Sequence, residues 1–326
     1  MNELQLEDQW SKLKEQKSSD FITLKIDANC KPDLNLGINS KKNRCLLLML
    51  PKGFNIDFVG EAKENIKTSY NRKDNCIVLE LLDGYYLNLF NDLIISLYFK
   101  INKIQDLKES TAVFISTINK WAAFLAKGRN NILTQEVIKG LFGELTVLNE
   151  LLNASSMSNV NNALSSWQGP YDTNTDFIFD NKNIEVKTKN YDSSVVRISS
   201  EFQLDDEPGK KLELLVVSVE TDNKLGADIE SIILEIRERV LGLNGDVSLL
   251  FDALAQKSLF SSNLKDYAIY KFTLKKHETY DCNMIIENAE VFPRLTKSKL
   301  PDYIKKVKYN INLQELNSFI IAQKIF

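Results

Sequence analysis

Three neighbouring stretches decide the fold of this 326-residue chain: GLFGELTVLNELL at 140–152, SSWQGPYDTN at 165–174 and TDFIFDNKNIEVKTK at 175–189. The first has the apolar period of a helix, and the second is rich in turn-forming residues. The third is two short strands joined by the turn DNKN. Together they carry four charged residues that the remaining sequence has to position: Glu144, Asp176, Glu185 and Lys187.

The predicted helix carries a carboxylate on its apolar side. Leu141 and Leu145 repeat at helical spacing, and Glu144 falls within the same stripe. Burying a carboxylate is costly unless a cation pairs with it. Gly140 and Gly143 flank the carboxylate, and glycine weakens a helix unless close approach is needed. Either Glu144 points inward toward a cation or it reaches solvent at the edge of the stripe, and the helix alone favours the second interpretation.

The pattern of the strands favours the first interpretation, in which Glu144 points inward toward a cation. In IEVKTK, alternation places Glu185, Lys187 and Lys189 on one face. The solvent face of an edge strand would look the same. However, DFIF precedes this strand across a short turn, so the hairpin brings Asp176 onto the face of Glu185. Two carboxylates on neighbouring strands form an oxygen-rich site suited to Mg²⁺.

These residue types suit phosphodiester hydrolysis. A metal binds phosphate oxygens, lowers the pKa of the attacking water and stabilises the charge that develops on phosphorus. A lysine beside it orients or deprotonates the water, or pairs with the transition state. We therefore expect Glu144, Glu185 and Asp176 to converge within metal-binding distance, with Lys187 beside them.

Composition narrows the chemistry further. The single histidine, His277, excludes zinc hydrolases, histidine-metal nucleases and Ser-His-Asp hydrolases. The four cysteines contain no CxxC pair, which favours free thiols over a zinc site or a disulfide framework. A net charge of −3 argues neither for nor against a nucleic-acid partner. The polar start of the chain and the lack of an apolar window of about 20 residues predict a soluble, cytoplasmic protein without a membrane segment.

The spacing of apolar residues changes from a strand-like to a helical pattern near Asp106, which predicts two domains. Residues 1–103 are expected to form a β-rich N-terminal domain, in which Asp83-Gly84 is the hairpin turn between CIVLELL and YYLNLF, followed by a strand LIISLYFKI. Residues 104–326 are expected to form an α/β core, a mixed central sheet flanked by helices. It begins with helices near Asp106 and Thr134. LELLVVSVE is its central strand, covered on both faces, and VKYNINL and NSFIIA are a closing pair of strands.

The arrangement resembles the PD-(D/E)XK nuclease superfamily, with Thr175 in place of the motif's proline, Asp176 after it, and then Glu185-Val186-Lys187. More narrowly, residues 140–204 are similar to a bacterial PD-(D/E)XK motif family. GLFGELTVL, Trp167 with Gly169, DFIF, IEVKTK and VRISSEFQL carry that likeness. Members of that family often lie beside DNA methyltransferase and other restriction or phage-defence genes.

The resemblance implies a restriction-endonuclease-like fold and Mg²⁺-dependent cleavage of double-stranded DNA, with Mn²⁺ as a substitute. Asp176, Glu185 and the Val186 carbonyl would bind metal, Lys187 would act on the water, and Glu144 would assist. It also implies a restriction or phage-defence role, a homodimer and a system that includes a methyltransferase. A catalytically silent DNA- or partner-binding subunit, or a structure-specific repair nuclease, stays open.

Other residues have weaker assignments. Lys189 and Arg197 are expected either to contact a phosphate of the nucleic acid or to lie on a solvent-exposed face of the strands. Gln203 touches the metal-bound water or the DNA, although a capping box that opens a short helix at Ser200 is the favoured interpretation. Trp167 is expected to be a packing anchor for the loop that delivers Asp176. Basic and aromatic residues between Phe292 and Tyr309 suit contacts with a nucleic-acid backbone, and a solvated surface is the commoner role of such a run.

Overall fold

A computed structural model gives the fold. It describes residues 3–13, 21–54, 56–63, 65–126, 132–222, 224–260, 263–287, 290–304 and 306–326. The chain forms two compact units. Unit 1 comprises residues 1–128, 244–255 and 259–262, and unit 2 comprises residues 129–243, 256–258 and 263–326. This division differs from the predicted boundary between residues 103 and 104, because a further helix belongs to unit 1 and the chain returns to that unit later.

The described residues form seven α-helices and twelve strands. The helices are α1 (Glu3–Leu13), α2 (Leu87–Ile101), α3 (Leu107–Ala126), α4 (Gln135–Asn153), α5 (Val160–Ser166), α6 (Ile229–Gly242) and α7 (Val247–Gln256). The strands are β1 (Phe21–Lys25), β2 (Asp33–Asn39), β3 (Arg44–Met49), β4 (Ile66–Asn71), β5 (Cys76–Leu81), β6 (Phe177–Ile178), β7 (Lys182–Asn190), β8 (Val195–Ile198), β9 (Lys211–Thr221), β10 (Phe272–Asp281), β11 (Tyr309–Asn312) and β12 (Ile320–Ile325).

Unit 1 contains a five-stranded antiparallel sheet in the order β1-β2-β3-β5-β4. Leu36, Leu46 and Leu79 lie side by side on β2, β3 and β5, and all three are fully buried. The predicted β-rich N-terminal region is therefore confirmed. In the same unit, Trp121 of α3 packs edge-to-face against Phe251 of α7 with ring centroids 4.8 Å apart.

The predicted hairpin at Asp83-Gly84 and the strand LIISLYFKI are wrong. Asp83 instead caps a 3₁₀ turn, where its side chain accepts a hydrogen bond from the Tyr85 backbone N–H, and α2 follows directly. The segment is rich in β-favouring residues. Its fully buried members Phe90, Leu93, Ile94, Leu97 and Ile101 nevertheless repeat at helical spacing. This helical period, rather than residue preference, decides the structure.

Unit 2 is built on a mixed five-stranded sheet in the order β12-β10-β9-β7-β6. β7 and β9 are parallel, and the other pairs are antiparallel. β9 lies in the middle of this sheet, and Leu214, Val216 and Val217 are fully buried, so both faces of the strand are covered. The predicted α/β class, with a mixed central sheet and a central LELLVVSVE strand, is confirmed.

The closing strands have different partners from those expected. β11 pairs with β8 in a separate two-stranded sheet, whereas β12 pairs with β10 at the edge of the main sheet. β10 begins at Phe272, after residues 264–267 form a 3₁₀ turn. β8, β11 and the segment around Phe292 pack against the β9 and β10 side chains that share the face of Glu185.

Helix α4 covers the opposite face of β7. It begins at the predicted cap, where the Thr134 side chain accepts a hydrogen bond from the Val137 backbone N–H. A Cβ added at Gly143 would lie 1.9 Å from Thr188 Oγ1, so only glycine permits this contact between α4 and β7. By contrast, a Cβ at Gly140 would meet nothing within 4 Å. The close approach expected of the glycine pair is therefore made at Gly143.

Two further observations concern the whole described chain. All four cysteines are free and buried. None of the described helices combines the length and the apolar character that crossing a membrane would require.

Candidate active site

The β6–β7 hairpin positions the two strand carboxylates. Phe177 pairs with Ile184, so Asp176 and Glu185 are the next residues along the two strands and share one face, as predicted. The Val186 backbone N–H donates a hydrogen bond of 2.8 Å to Asp176 Oδ2. Glu185 is only 1 % exposed, so its carboxylate lies in the interior of unit 2.

The loop before β6 brings the helix carboxylate to this pair. The backbone N–H groups of Gln168 and Gly169 both donate to the Asp176 carbonyl, at 2.8 and 2.9 Å. A Cβ at Gly169 would lie 2.7 Å from Asp176 Oδ1 and 3.0 Å from Glu144 Oε2. The two oxygens are therefore no farther apart than the sum of those distances. Gly169 is required here because any side chain would enter the space between the two carboxylates.

Trp167 holds Glu144 in place. Its indole Nε1–H donates a hydrogen bond of 2.8 Å to Glu144 Oε2, and its ring is 1 % exposed. The sequence predicts a packing anchor at this position, and the ring is indeed buried. The hydrogen bond to the carboxylate is an additional role that the sequence reasoning missed, because a lone tryptophan in a loop gives no sign of which acceptor its N–H will meet.

Lys187 is the cation inside the cluster. Its Nζ donates to Glu185 Oε1 and to Gln203 Oε1, the latter at 3.1 Å. Gln203 Oε1 also accepts from the Ser199 backbone N–H at 2.7 Å. The favoured capping interpretation of Gln203 is wrong. Residues 201–204 form turns rather than a helix, and this amide oxygen is engaged by Lys187 and Ser199.

The charges in the cluster are strongly perturbed. Burial, followed by the negative charge of Asp176, raises the pKa of Glu144 to about 8. Burial also raises the pKa of Asp176, and burial together with Asp176 raises the pKa of Glu185 well above its usual range. Burial alone would lower the pKa of Lys187, but the neighbouring carboxylates outweigh it and raise that pKa. Lys187 is therefore protonated in this state. Its single positive charge does not balance the negative charges that the three carboxylates would carry if all of them were ionised.

Lys257 supplies a second positive charge that the sequence reasoning missed. Burial dominates the raised pKa values of Glu144 and Asp176, and the charge of Lys257 acts against it at both groups. The next residue, Ser258, has φ of 61°, a left-handed conformation that is uncommon for residues other than glycine. No sequence signal connects Lys257 with the site, because it lies far along the chain from β7.

The carboxylates are neighbours but not a complete metal shell. Within the described part of the chain, no three Asp, Glu, His or Cys side chains are positioned to hold a metal ion. That Glu144, Asp176 and Glu185 bind one metal together stays a prediction. In this structure the Val186 N–H binds Asp176 Oδ2, and Lys187 binds Glu185 Oε1.

A smaller set nevertheless fits a divalent cation. Glu185 Oε2 is buried and has no hydrogen-bond partner among the described residues. The other oxygen of Asp176, Oδ1, also accepts no hydrogen bond from them. Carboxylate oxygens without donors, of which Glu185 Oε2 is buried, are hard ligands of the kind that Mg²⁺ and Mn²⁺ take. The oxygens of Asp176 and Glu185 that accept no hydrogen bond therefore fit a divalent cation.

The remaining predicted residues lie farther out. Lys189 is half-buried on the same strand face, and burial lowers its pKa although Glu278 opposes this. Arg197 is exposed on β8, opposite Asn310 of β11. Arg294, from the basic tail, turns inward to bind Asp206 at 2.8 Å and the Leu204 carbonyl, so it serves the fold. Lys305, also counted in that tail, lies outside the described residues.

Comparison with known families identifies one family. A protein-family profile described as "Putative PD-(D/E)XK family member, (DUF4420)" matches residues 6–314, which include every residue named for the candidate site. No curated protein and no solved structure matches the chain. Proteins of the PD-(D/E)XK superfamily are generally nucleases and typically use divalent metals. Nearly the whole chain is covered by the match, and the protein therefore belongs to this PD-(D/E)XK family, DUF4420.

Proposed function

We propose that the protein is a Mg²⁺-dependent endonuclease that hydrolyses DNA phosphodiester bonds, as the nuclease of a restriction or phage-defence system. The observation that carries the proposal is the buried group of Asp176, Glu185 and Lys187 on one strand face, with Glu144 beside it. A fold gains nothing from burying three carboxylates around one lysine. A cation and a phosphate that complete the site would explain the arrangement.

Each residue then has a role. Asp176 Oδ1, Glu185 Oε2 and the Val186 carbonyl would hold the cation. A bound divalent ion polarises the phosphate and lowers the pKa of the attacking water. Glu144, fixed by Trp167, would bind a water of the ion's shell or a second ion. Buried carboxylates with raised pKa values would release their protons as the cation binds.

Lys187 acts as a positive charge. Its raised pKa keeps the ammonium group protonated, so it is better suited to neutralise the charge that grows on the phosphate than to remove a proton from water. Glu185 and Gln203 hold the ammonium from two sides, which fixes its direction before substrate arrives. Orientation that is established in advance lowers the cost of reaching the transition state.

The partners follow from the reaction. Double-stranded DNA is the proposed substrate, with Lys189 and Arg197 as candidate phosphate contacts because they extend from strands beside the site. A homodimer is proposed because cutting both strands at a palindrome needs two sites related by a two-fold axis. The likeness to a family found beside methyltransferase genes supports a restriction role over a repair role.

A cleavage assay tests the proposal. The purified protein is incubated with methylated and unmethylated plasmid DNA and with Mg²⁺ or Mn²⁺. We expect cutting, and we expect Asp176→Asn and Lys187→Ala to abolish it while the fold is retained. Asp180→Asn, at an exposed position of the same hairpin, and Lys182→Ala, on the same strand, are the matched controls. The proposal is overturned if DNA of every modification state stays intact, or if Asp176→Asn still cuts.

One observation favours a rival, a catalytically silent subunit. Lys187 and the Val186 N–H each occupy a carboxylate oxygen that a metal would otherwise take. Calorimetric titration with Mn²⁺ separates the two functions. A nuclease binds Mn²⁺ and loses that binding in Asp176→Asn, whereas a silent subunit binds no metal or binds it equally well in both proteins.

A further inference from the structure

A second lysine–glutamate pair lies on the sheet face that carries Glu185 and Lys187. Glu278 of β10 is 7 % exposed, and its Oε1 lies 2.7 Å from Lys276 Nζ in an ion pair. The strand registers place Val216 of β9 between Lys187 and Glu278. Residues opposite one another in a sheet share a face. The second pair therefore faces the same side as the proposed catalytic group, with β9 between them.

Lys189 lies in the next row of this face. It follows Lys187 by two residues on β7, and Ser218 of β9 separates it from Lys276 of β10. Neighbouring strands are about 4.8 Å apart, so the backbones of the two outer residues lie about 10 Å from each other. Lysine side chains have long, flexible stems, and the two ammonium groups can therefore approach the same ligand.

The charges of this group favour an anion. Burial lowers the pKa of Lys189; the charge of Glu278 opposes this effect, and the charge of Lys276 adds to it. Asp192 is exposed, and its attraction is the weakest of these effects. Two ammonium groups thus share one buried carboxylate. An anion between the lysines would offset their mutual repulsion.

The two lysines are open to solvent. Lys189 is half-buried, and the Lys276 side chain is 26 % exposed. Ile325 of β12, which lies beside Lys276 in the same row, is 75 % exposed, so this end of the row is uncovered. Ser218 itself is fully buried. A ligand from solvent therefore meets the two ammonium groups and not the hydroxyl between them.

Spacing along β7 indicates which anion this is. Lysine binds phosphate as a compact positive charge. Two residues of extended strand span about 6.7 Å, which is close to the separation of consecutive phosphates along a nucleic-acid strand. A substrate whose scissile phosphate lies at Lys187 would therefore place the neighbouring phosphate at Lys189.

We propose that Lys189 and Lys276 together bind one backbone phosphate of the DNA, next to the phosphate that is cut. The inference rests on the proposed function and deepens it, because it gives the substrate a direction along β7, from Lys187 towards Asn190. It also adds a residue of β10 to the DNA-binding surface. Such a contact positions the DNA and carries no sequence information.

Binding without cleavage tests the inference. A fluorescently labelled DNA duplex is titrated with protein in EDTA at several KCl concentrations, and anisotropy gives the affinity and its dependence on salt. Lys189→Ala and Lys276→Met should each weaken binding about tenfold, the size of one lost charged hydrogen bond. In the double variant, the slope of log affinity against log salt should become shallower by about 0.9, the value for one phosphate. Two separate phosphates would change the slope by about 1.8.

Lys182→Ala is the matched control. Lys182 is also a partly exposed strand lysine that pairs with a glutamate, Glu213, at 2.8 Å, but alternation places it on the opposite face of β7. Its replacement should leave the affinity and the slope close to those of the parent protein. Lys276→Arg keeps the charge and should bind as the parent does. Lys189→Ala keeps the test decisive if Lys276→Met leaves Glu278 unpaired and impairs folding.

Unchanged affinity in Lys189→Ala overturns the inference, as does a parent protein that binds no duplex. A slope change of about 1.8 in the double variant, or an equal loss of affinity in Lys182→Ala, also rejects a shared phosphate. The outcome is separate from that of the nuclease proposal. DNA cutting with unchanged affinity in the lysine variants would sustain the nuclease and reject the phosphate site, whereas the expected binding losses without any cutting would do the reverse.

Discussion

The indole N–H of Trp167 donates a hydrogen bond of 2.8 Å to Glu144 Oε2, which joins the loop before β6 to helix α4 at the point where the carboxylates meet. When a bound cation keeps the Glu144 carboxylate ionised, a hydrogen bond to it contributes about 1.5–3 kcal/mol. The contact therefore does more than pack the loop, because it determines where the Glu144 carboxylate lies.

Replacing Trp167 by Phe should weaken metal binding. The ring still fills most of the space, but Glu144 loses its donor and its position, so Mn²⁺ affinity should fall about tenfold, as expected for a hydrogen bond of this strength. Isothermal titration calorimetry measures the Mn²⁺ affinity. Trp121→Phe in unit 1 is the control, because that ring is also fully buried but its Nε1 has no hydrogen-bond partner among the described residues. Equal affinity in both variants and the parent protein would show that Glu144 does not depend on Trp167.

The two glycines of α4 should respond in opposite ways to alanine. At Gly143 the new Cβ would lie 1.9 Å from Thr188 Oγ1, so α4 and β7 must separate. We expect the free energy of unfolding to fall by on the order of 3 kcal/mol. At Gly140 the Cβ meets nothing within 4 Å, and alanine should add about 1 kcal/mol through helix propensity. Urea unfolding compares the two proteins, and a similar loss at both positions would contradict the close contact.

The stability of the metal-free protein should fall as the pH rises. Burial and Asp176 raise the pKa of Glu144 from 4.5 to about 8. The folded state therefore binds more protons than the unfolded state within that window, and stability is lost as the proton leaves. The loss should be on the order of a few kcal/mol. Urea unfolding in EDTA across the window measures it, and Glu144→Gln should make the slope shallower. An unchanged slope, or stability that rises with pH, would show that Glu144 is ionised throughout.

Gln203 should affect the rate of cleavage more than the binding of metal. Gln203→Met keeps the size of the side chain but removes the acceptor that orients Lys187 at 3.1 Å. Losing one hydrogen bond to a charged group should lower kcat about tenfold. Mn²⁺ affinity should stay close to that of the parent, because Glu185 and Asp176 are intact. Gln314→Met, at an exposed position, is the control. A Gln203 variant with normal kcat would mean that Glu185 alone orients the lysine.

Much of unit 2 follows from sequence because its signals are local. The Thr134 cap, the alternation in IEVKTK and the continuous apolar run of β9 each depend on residues close together in the chain. The register of the short hairpin then places Asp176 opposite Glu185. Contacts made by residues far apart in the chain were not predictable. Lys257 and the hydrogen bond from Trp167 to Glu144 depend on how loops return to the site.

In unit 1, the residue types of the α2 segment wrongly predicted a strand. The residues of α2 are β-favouring by type, and only the spacing of the buried ones indicates a helix. The metal shell itself stays a prediction. Sequence places the carboxylates on one face but gives no information on which of their oxygens the Val186 N–H and Lys187 take in the absence of a cation.

The chain enters unit 1 three times, since residues 244–255 and 259–262 return to it after residues 129–243 of unit 2. A single cut after residue 128 would therefore not yield two separable proteins. The piece from residue 129 onward would carry α7, whose Phe251 ring packs against Trp121, as an orphaned apolar segment. Such a piece should aggregate when expressed alone. Unit 1 cannot finish folding during synthesis until residues 259–262 have been made, so α4 and the β6–β7 hairpin emerge before unit 1 is complete.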